Sequence, residues 1–309
     1  MGFLLNRKGI KVICFFFDLI FLRLNDTFLG SVYRGQGVLL LWLLLLFSLT
    51  SYSVKLRISP FILQGLIVLE FLLSFIISPS LDGRFIGTLG EPNSLAGFML
   101  FLWPFALLTN KKSNKFIDII LFLLVLILII GTGSRSGLIG LLLQILFVIF
   151  YRLLHLSFGK SAMIVVIFLL LSLGLPFFDN TSIYESRSLI WQTAIVSGLQ
   201  SPILGHGFGN MQSVLHTTSQ QLHNALRKEN IDCSHNLILD WFVQAGIIGI
   251  ICIMSLLVLS FKRITVQKNE VLLLSFLGLL SIMLFNPVSI VLLIGFWWII
   301  GQTIIRKTQ

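Results

Sequence analysis

Charge is what this chain has least of: 11% of its 309 residues are Asp, Glu, Lys or Arg, while 56% are hydrophobic and the mean hydropathy is +0.99. So little polar side chain cannot clothe a water-soluble globule, and a soluble domain is excluded. Acidic residues are scarcer than basic ones, 12 against 22, for a formal charge of +10. In a soluble protein that excess would suggest nucleic acid; in a membrane protein basic residues chiefly set orientation, so no nucleic-acid partner is inferred. The only cysteines are Cys14, Cys233 and Cys252, which form no CxxC pair and no disulfide framework. Cys14 and Cys252 lie in apolar segments, where a thiol acts as a small hydrophobe. Internal repeats, low-complexity tracts and soluble linkers are also missing, so residues 1–309 read as a single integral membrane domain.

What is present is a succession of apolar runs. A spanning helix needs about 20 mainly apolar residues. Segments of that kind are expected at Gly37–Val54, Pro60–Ile77, Asn93–Leu108, Phe116–Thr132, Gly137–Leu154, Ala162–Phe178, Leu237–Phe261, Val271–Phe285 and Val288–Ile305. A weaker segment at Val12–Leu24, interrupted by Asp18 and Arg23, is either a first span or an interfacial helix, and it lacks the small-residue cleavage site of a signal peptide. The expected fold is all-α: a polytopic transmembrane helical bundle of about ten spans. Placing every Lys and Arg on alternate sides puts 15 on one face and 7 on the other. The positive-inside rule makes the richer face cytoplasmic, with both termini on it. The polar stretch Asp179–His235 is then an extracytoplasmic loop (residues 179–236).

That loop holds four of the five histidines. Within it, Met211, Val214, Leu215, Thr218, Leu222 and Ala225 recur at helical spacing, and Ser188–Leu199 is a second amphipathic candidate; both suit the outer membrane surface. Pro202 and the glycines Gly205, Gly207 and Gly209 break the chain between them. No strand precedes those glycines, so they form no nucleotide loop and read instead as a turn that shapes a site. His206, His216, His223 and His235 follow no zinc spacing, and no metal site is inferred. Glu70, Asp18 and Asp240 do not cluster, so snorkelling or local pairing is their expected role.

The outer arginines carry more information than the inner ones. Arg84, Arg135 and Arg187 all fall at the outer ends of expected spans, and the loop Gly131-Thr132-Gly133-Ser134-Arg135-Ser136-Gly137 is too short to lift Arg135 far from the bilayer. Spans entering from outside present their N-termini there, with the positive end of the helix dipole. Pro92, after Glu91 and before Asn93, suits a first helical position. Ser134 and Ser234-His235-Asn236 are N-cap candidates. Arginines converging with helix N-termini suit a phosphate or diphosphate, which guanidinium binds bidentately. His235, at the mouth of a span, is the candidate base for an alcohol.

These residues resemble the O-antigen ligase and O-antigen polymerase superfamily. The resemblance rests on Arg84-Phe-Ile-Gly-Thr-Leu-Gly-Glu-Pro-Asn93-Ser-Leu-Ala, on Gly131-Thr-Gly-Ser-Arg135-Ser-Gly, on Arg187-Ser-Leu-Ile-Trp191 followed by Ser201-Pro-Ile-Leu-Gly205-His-Gly207, and on His235-Asn236 with Gly246-Ile-Ile-Gly249. It covers a core of about 84–261. It implies a glycosyltransferase C-like fold and a metal-independent transferase, without cofactor, that uses an undecaprenyl diphosphate-linked glycan donor at the outer face of the cytoplasmic membrane. Carried over by motif, Arg135 and Arg187 would hold the donor diphosphate, Arg84 would assist near the headgroup, and His235 would activate the hydroxyl of a glycan, lipid or protein acceptor. Asn93, Ser134, Asn236 and Gly205 would support them. The chain departs from the pattern at Gln244, where members often carry Glu, and in having Ser-Arg-Ser where the loop often reads Ser-Arg-Gly. Polymerase, ligase and protein O-oligosaccharyltransferase remain alternatives within the family, and a lipid-linked oligosaccharide flippase or transporter is the alternative outside it.

Overall fold

The computed structural model describes residues 28, 30, 36–53, 59–77, 83–109, 114–174, 187–224 and 231–305. Among the described residues there are eleven α-helices and no strand. In chain order they are α1 (Val38–Ser53), α2 (Pro60–Ile76), α3 (Pro92–Leu108), α4 (Lys115–Gly131), α5 (Arg135–Val148), α6 (Phe158–Ser172), α7 (Arg187–Gln200), α8 (Met211–Gln221), α9 (Leu237–Gln267), α10 (Glu270–Met283) and α11 (Ile290–Ile300). Nine of them, α1 to α6 and α9 to α11, coincide with the nine apolar segments expected after residue 36; α7 and α8 are the two amphipathic candidates. The Val12–Leu24 segment and residues 179–186 and 225–230 of the polar loop lie outside the described residues.

Their surfaces are inverted relative to a water-soluble bundle. Along α2 the outward residues are Phe61, Ile62, Leu72, Phe75 and Ile76, while the buried ones include Gln64, Glu70 and Ser74. Along α4, Phe116, Ile119, Leu123 and Ile130 face out. Apolar flanks of this extent need hydrocarbon around them, and polar groups turned inward find partners in neighbouring helices. Arg135–Leu153, which runs through a π turn beyond α5, and Leu237–Gln267 are long and apolar enough to cross a bilayer, at 19 and 31 residues. The protein is therefore a helical membrane protein.

The chain divides into two compact units, one of residues 44–185, 235–237 and 255–309, the other of 1–43, 186–234 and 238–254. The core of the first is α10, whose residues from Leu272 to Met283 are all buried. Glycines permit its close approach to α3 and α5: a Cβ at Gly278 would lie 2.7 Å from Leu100 Cβ, and one at Gly140 would run into Ser281. Gln144 then joins the three helices. Its amide donates to the carbonyls of Leu100 and Leu274 at 2.9 and 2.8 Å and accepts from Trp103 Nε1 at 2.7 Å, which satisfies a polar side chain at full burial.

The second unit gathers α7, α8 and the first part of α9. Ser197 Oγ donates to Thr218 Oγ1 at 2.9 Å, and Gln200 Nε2 donates to Gln221 Oε1 at 2.9 Å. Met211, Leu215 and Thr218 are buried here, so the apolar face of α8 that suited a membrane surface packs instead within the protein. The hydroxyl pair with α7 explains why: Thr218 is polar where a bilayer-facing stripe would be apolar.

Candidate functional site

In the first unit, the chain leaves α4 through Gly131, Thr132, Gly133 and Ser134 and re-enters a helix at Arg135. The segment before α3 is laid against this turn. Phe85 N donates to Gly131 O at 2.9 Å, and Arg84 Nε donates to Thr132 O at 2.6 Å. Gly131 has to be glycine for this, since a Cβ would stand 2.2 Å from the Phe85 ring. The Arg84 guanidinium thus sits at the C-terminal end of α4, where the helix dipole favours a cation. Behind it, Glu70 of α2 is buried and accepts from Thr88 N at 3.1 Å and from Thr88 Oγ1, which pins the 3₁₀ turn Gly87–Leu89 that follows Arg84. Glu70 therefore has a local partner, as expected.

Ser134 caps α5: its Oγ accepts from Gly137 N at 3.2 Å. Arg135 is the first residue of that helix and its side chain is exposed. The same Ser134 hydroxyl donates to Asn93 Oδ1 at 2.9 Å and lies 3.1 Å from Ser136 Oγ. Pro92 opens α3 as expected, and Glu91 is its N-cap, accepting from Asn93 N, from Asn93 Nδ2 at 2.7 Å and from Ser94 N at 2.7 Å. Asn286, fully buried after α10, donates from Nδ2 to Ser136 Oγ.

His235 is half-buried and holds φ at +57°, a left-handed conformation uncommon outside glycine that His155 and His223 also adopt. Asn236 beside it is buried and donates from Nδ2 to Leu284 O at 3.0 Å, at the end of α10. In the second unit, Ser234 N and Oγ both donate to Asp240 Oδ1, at 2.8 and 2.6 Å, charge-assisted bonds to a buried carboxylate one turn into α9.

The second unit contains Arg187, the first residue of α7, and Gly205. Helix α9 breaks at Gly246 (φ 64°, ψ −154°), which releases carbonyls that a straight helix would use internally. The glycine turn takes them up: His206 N donates to Val243 O and Gly207 N to Gln244 O, both at 2.9 Å, while Ile247 N donates to Pro202 O at 2.8 Å. Gly205 has φ +67° and lies so close to Gln244 and Ala245 that a Cβ would be 2.4 Å from backbone atoms. The His206 ring meets Ser197 O at 2.8 Å, and the His223 ring meets Gln220 O at 2.6 Å.

The structure thus brings Arg84, Asn93, Ser134 and Arg135 onto one hydrogen-bonded turn, and fastens His235-Asn236 to the end of α10 in the same unit. Arg187 and Gly205 belong to the other unit. Sequence reading missed Asn286, the carbonyls of Thr132 and Leu284, and Asp240 as the partner of Ser234. Asn286-Pro287 between two apolar segments was the available signal; the carbonyls carry none.

No curated protein matches the chain. Its residues 120–254, from within α4 through the second unit to α9, match the model of the family described as O-antigen ligase, a family of glycosyltransferase-like enzymes. The family that the arginine and histidine motifs resemble is thus the one whose model matches residues 120–254 of this membrane protein.

Proposed function

We propose that this protein is a metal-independent glycosyltransferase of the cytoplasmic membrane that transfers or polymerises an undecaprenyl diphosphate-linked oligosaccharide onto a hydroxyl acceptor at the outer face. The observation that carries this reading is Arg135 on the first residue of α5, exposed, with Ser134 capping the helix beneath it. A helix N-terminus is the positive end of a dipole, and an exposed guanidinium beside it adds to its attraction for an anion. Phosphate oxygens supply that anion, and guanidinium meets them bidentately. The fold we associate with it is one polytopic domain of about ten spans with both termini cytoplasmic, an outer loop of residues 179–236 and a core of about 84–261.

The acceptor O–H gives its proton to the His235 imidazole as its oxygen bonds to the anomeric carbon of the donor. The bond from that carbon to the diphosphate oxygen breaks with its electron pair, and the undecaprenyl diphosphate departs. Arg135 and Arg187 neutralise the charge that develops on it, with Arg84 near the headgroup. Asn93, Ser134, Asn236 and Gly205 hold these groups in place. Fixed guanidinium charges can do what a metal would otherwise do, so no cofactor enters the scheme.

Purified protein in liposomes, given a labelled undecaprenyl diphosphate glycan with EDTA present, is expected to release undecaprenyl diphosphate and form a new glycoside. Arg135→Ala is expected to lower the rate on the order of 10²-fold, with Arg135→Lys recovering only part. Movement of intact donor between leaflets with no bond cleavage would instead make the protein a flippase.

A further inference from the structure

We propose that Asn286 is a positioning residue: through the turn Leu284–Asn286 at the end of α10 it sets the Arg135 loop and the His235 segment in one frame. The inference rests on the function proposed above and concerns a residue outside both the matched region and the motifs.

The turn grips the immediate neighbour of each group. Asn286 Nδ2 donates to the hydroxyl of Ser136, next to Arg135. Two residues earlier, Leu284 O accepts from Asn236 Nδ2 at 3.0 Å, next to His235. Pro287 explains why the turn opens here, since the residue before a proline is pushed away from helical geometry. The helix that carries it is buried from Leu272 to Met283, so the frame is rigid.

The hydrogen bonds on the arginine side run in one direction. Ser134 Oγ spends its proton on Asn93 Oδ1, so in its 3.1 Å contact with Ser136 it accepts, and Ser136 donates. Ser136 then accepts from Asn286, and Asn93 Nδ2 donates to the Glu91 carboxylate. Asn286, Ser136, Ser134, Asn93 and Glu91 form a polarised chain that ends on a charge, an arrangement in which each bond strengthens the next. Asn286, fully buried, is its donor end. Replacing that donor releases the loop without touching either reacting group.

The experiment compares Asn286→Ala, Ser136→Ala and the double variant in the liposome transfer assay, with insertion and the thermal midpoint measured for each. Each single variant is expected to lower kcat about tenfold with donor KM changed less than threefold, because displacement by about 1 Å costs rate more than binding. The double variant is expected to lose no more than the worse single one, since both remove the same bond. Asn286→Leu keeps the size but loses the donor, and is expected to behave like Asn286→Ala; it carries the test if the alanine variant does not insert. Losses that multiply to a hundredfold, or full activity in Asn286→Leu, would overturn the proposal. A readout independent of catalysis is the spin-label distance between Arg135→Cys and His235→Cys, with Cys14, Cys233 and Cys252 changed to Ser. It is expected to be a single narrow distribution that broadens on adding Asn286→Ala, and an unchanged distribution overturns the proposal. A parent protein that transfers nothing, with the distance still responding to Asn286→Ala, would sink the function and leave the positioning standing.

Discussion

Gly246→Ala is the substitution that most directly tests how the outer turn is held. At φ 64° and ψ −154° the residue occupies a region open to glycine and costly for any other, by about 1–3 kcal/mol. Its missing Cβ leaves room for the neighbouring turn. An alanine methyl would stand 2.4 Å from Ile203 C and O and 2.7 Å from Pro202 O, all backbone atoms that cannot rotate away. The turn must therefore lift, and three bonds go with it: Ile247 N to Pro202 O, His206 N to Val243 O and Gly207 N to Gln244 O. At about 1 kcal/mol net each, they bring the local loss to roughly 4–6 kcal/mol. At about 1.4 kcal/mol per tenfold, even the lower figure speeds amide exchange on the order of 10³-fold where opening is local. Hydrogen exchange of the His206, Gly207 and Ile247 amides in nanodiscs measures it directly. Gly65→Ala is the control, with nothing within 4 Å of the new methyl, and there the helix should gain about 0.5–1 kcal/mol. Unchanged exchange at His206 and Gly207 in Gly246→Ala would refute the account.

Gln144→Leu removes the acceptor of the buried Trp103 indole and both donors to Leu100 and Leu274; leaving that indole unsatisfied is expected to cost about 1–3 kcal/mol, read as a lowered thermal midpoint in detergent, whereas a neutral result would mean the junction contributes only packing. His235→Gly relieves a left-handed backbone at φ +57°, so it is expected to stabilise the protein by about 1 kcal/mol while abolishing transfer; a lowered midpoint, or activity like the parent's, would count against strain held for function.

The helices were legible because their signals are local. Asn269 and Ser134 cap the helices that follow them, Pro60 and Pro92 open theirs, and apolar runs supply the rest. Ser134 and Asn93 were suspected from helix ends and motifs, and the bond between their side chains joins those two suspicions. What was not legible depends on backbone. Gly246 sits in an apolar run and reads as one small residue in a helix, while the groups that dock on it at Val243 and Gln244 are carbonyls, which every residue type possesses. The partner of Ser234, Asp240, lies six residues on, and spacing alone does not pair the two. The stripe on α8 had the period of a membrane-facing surface; period alone cannot say whether lipid or protein lies opposite.

Arginine spacing alone also treats Arg84 and Arg135 alike, as two positive residues at the outer ends of spans. The turn between α4 and α5 separates them. Arg84 places its Nε against Thr132 O, past the last turn of α4, where the carbonyl end of the helix welcomes a cation. That arrangement stabilises the turn by itself. Arg135 stands at the opposite kind of helix end, exposed above the Ser134 cap, where the dipole opposes its charge. On the function proposed above, the sign of the helix dipole at each end gives the two residues different work: Arg84 holds the turn at the carbonyl end of α4, and Arg135 would present its charge to the donor diphosphate above the N-terminus of α5. Binding the leaving group and neutralising it would then be the same interaction.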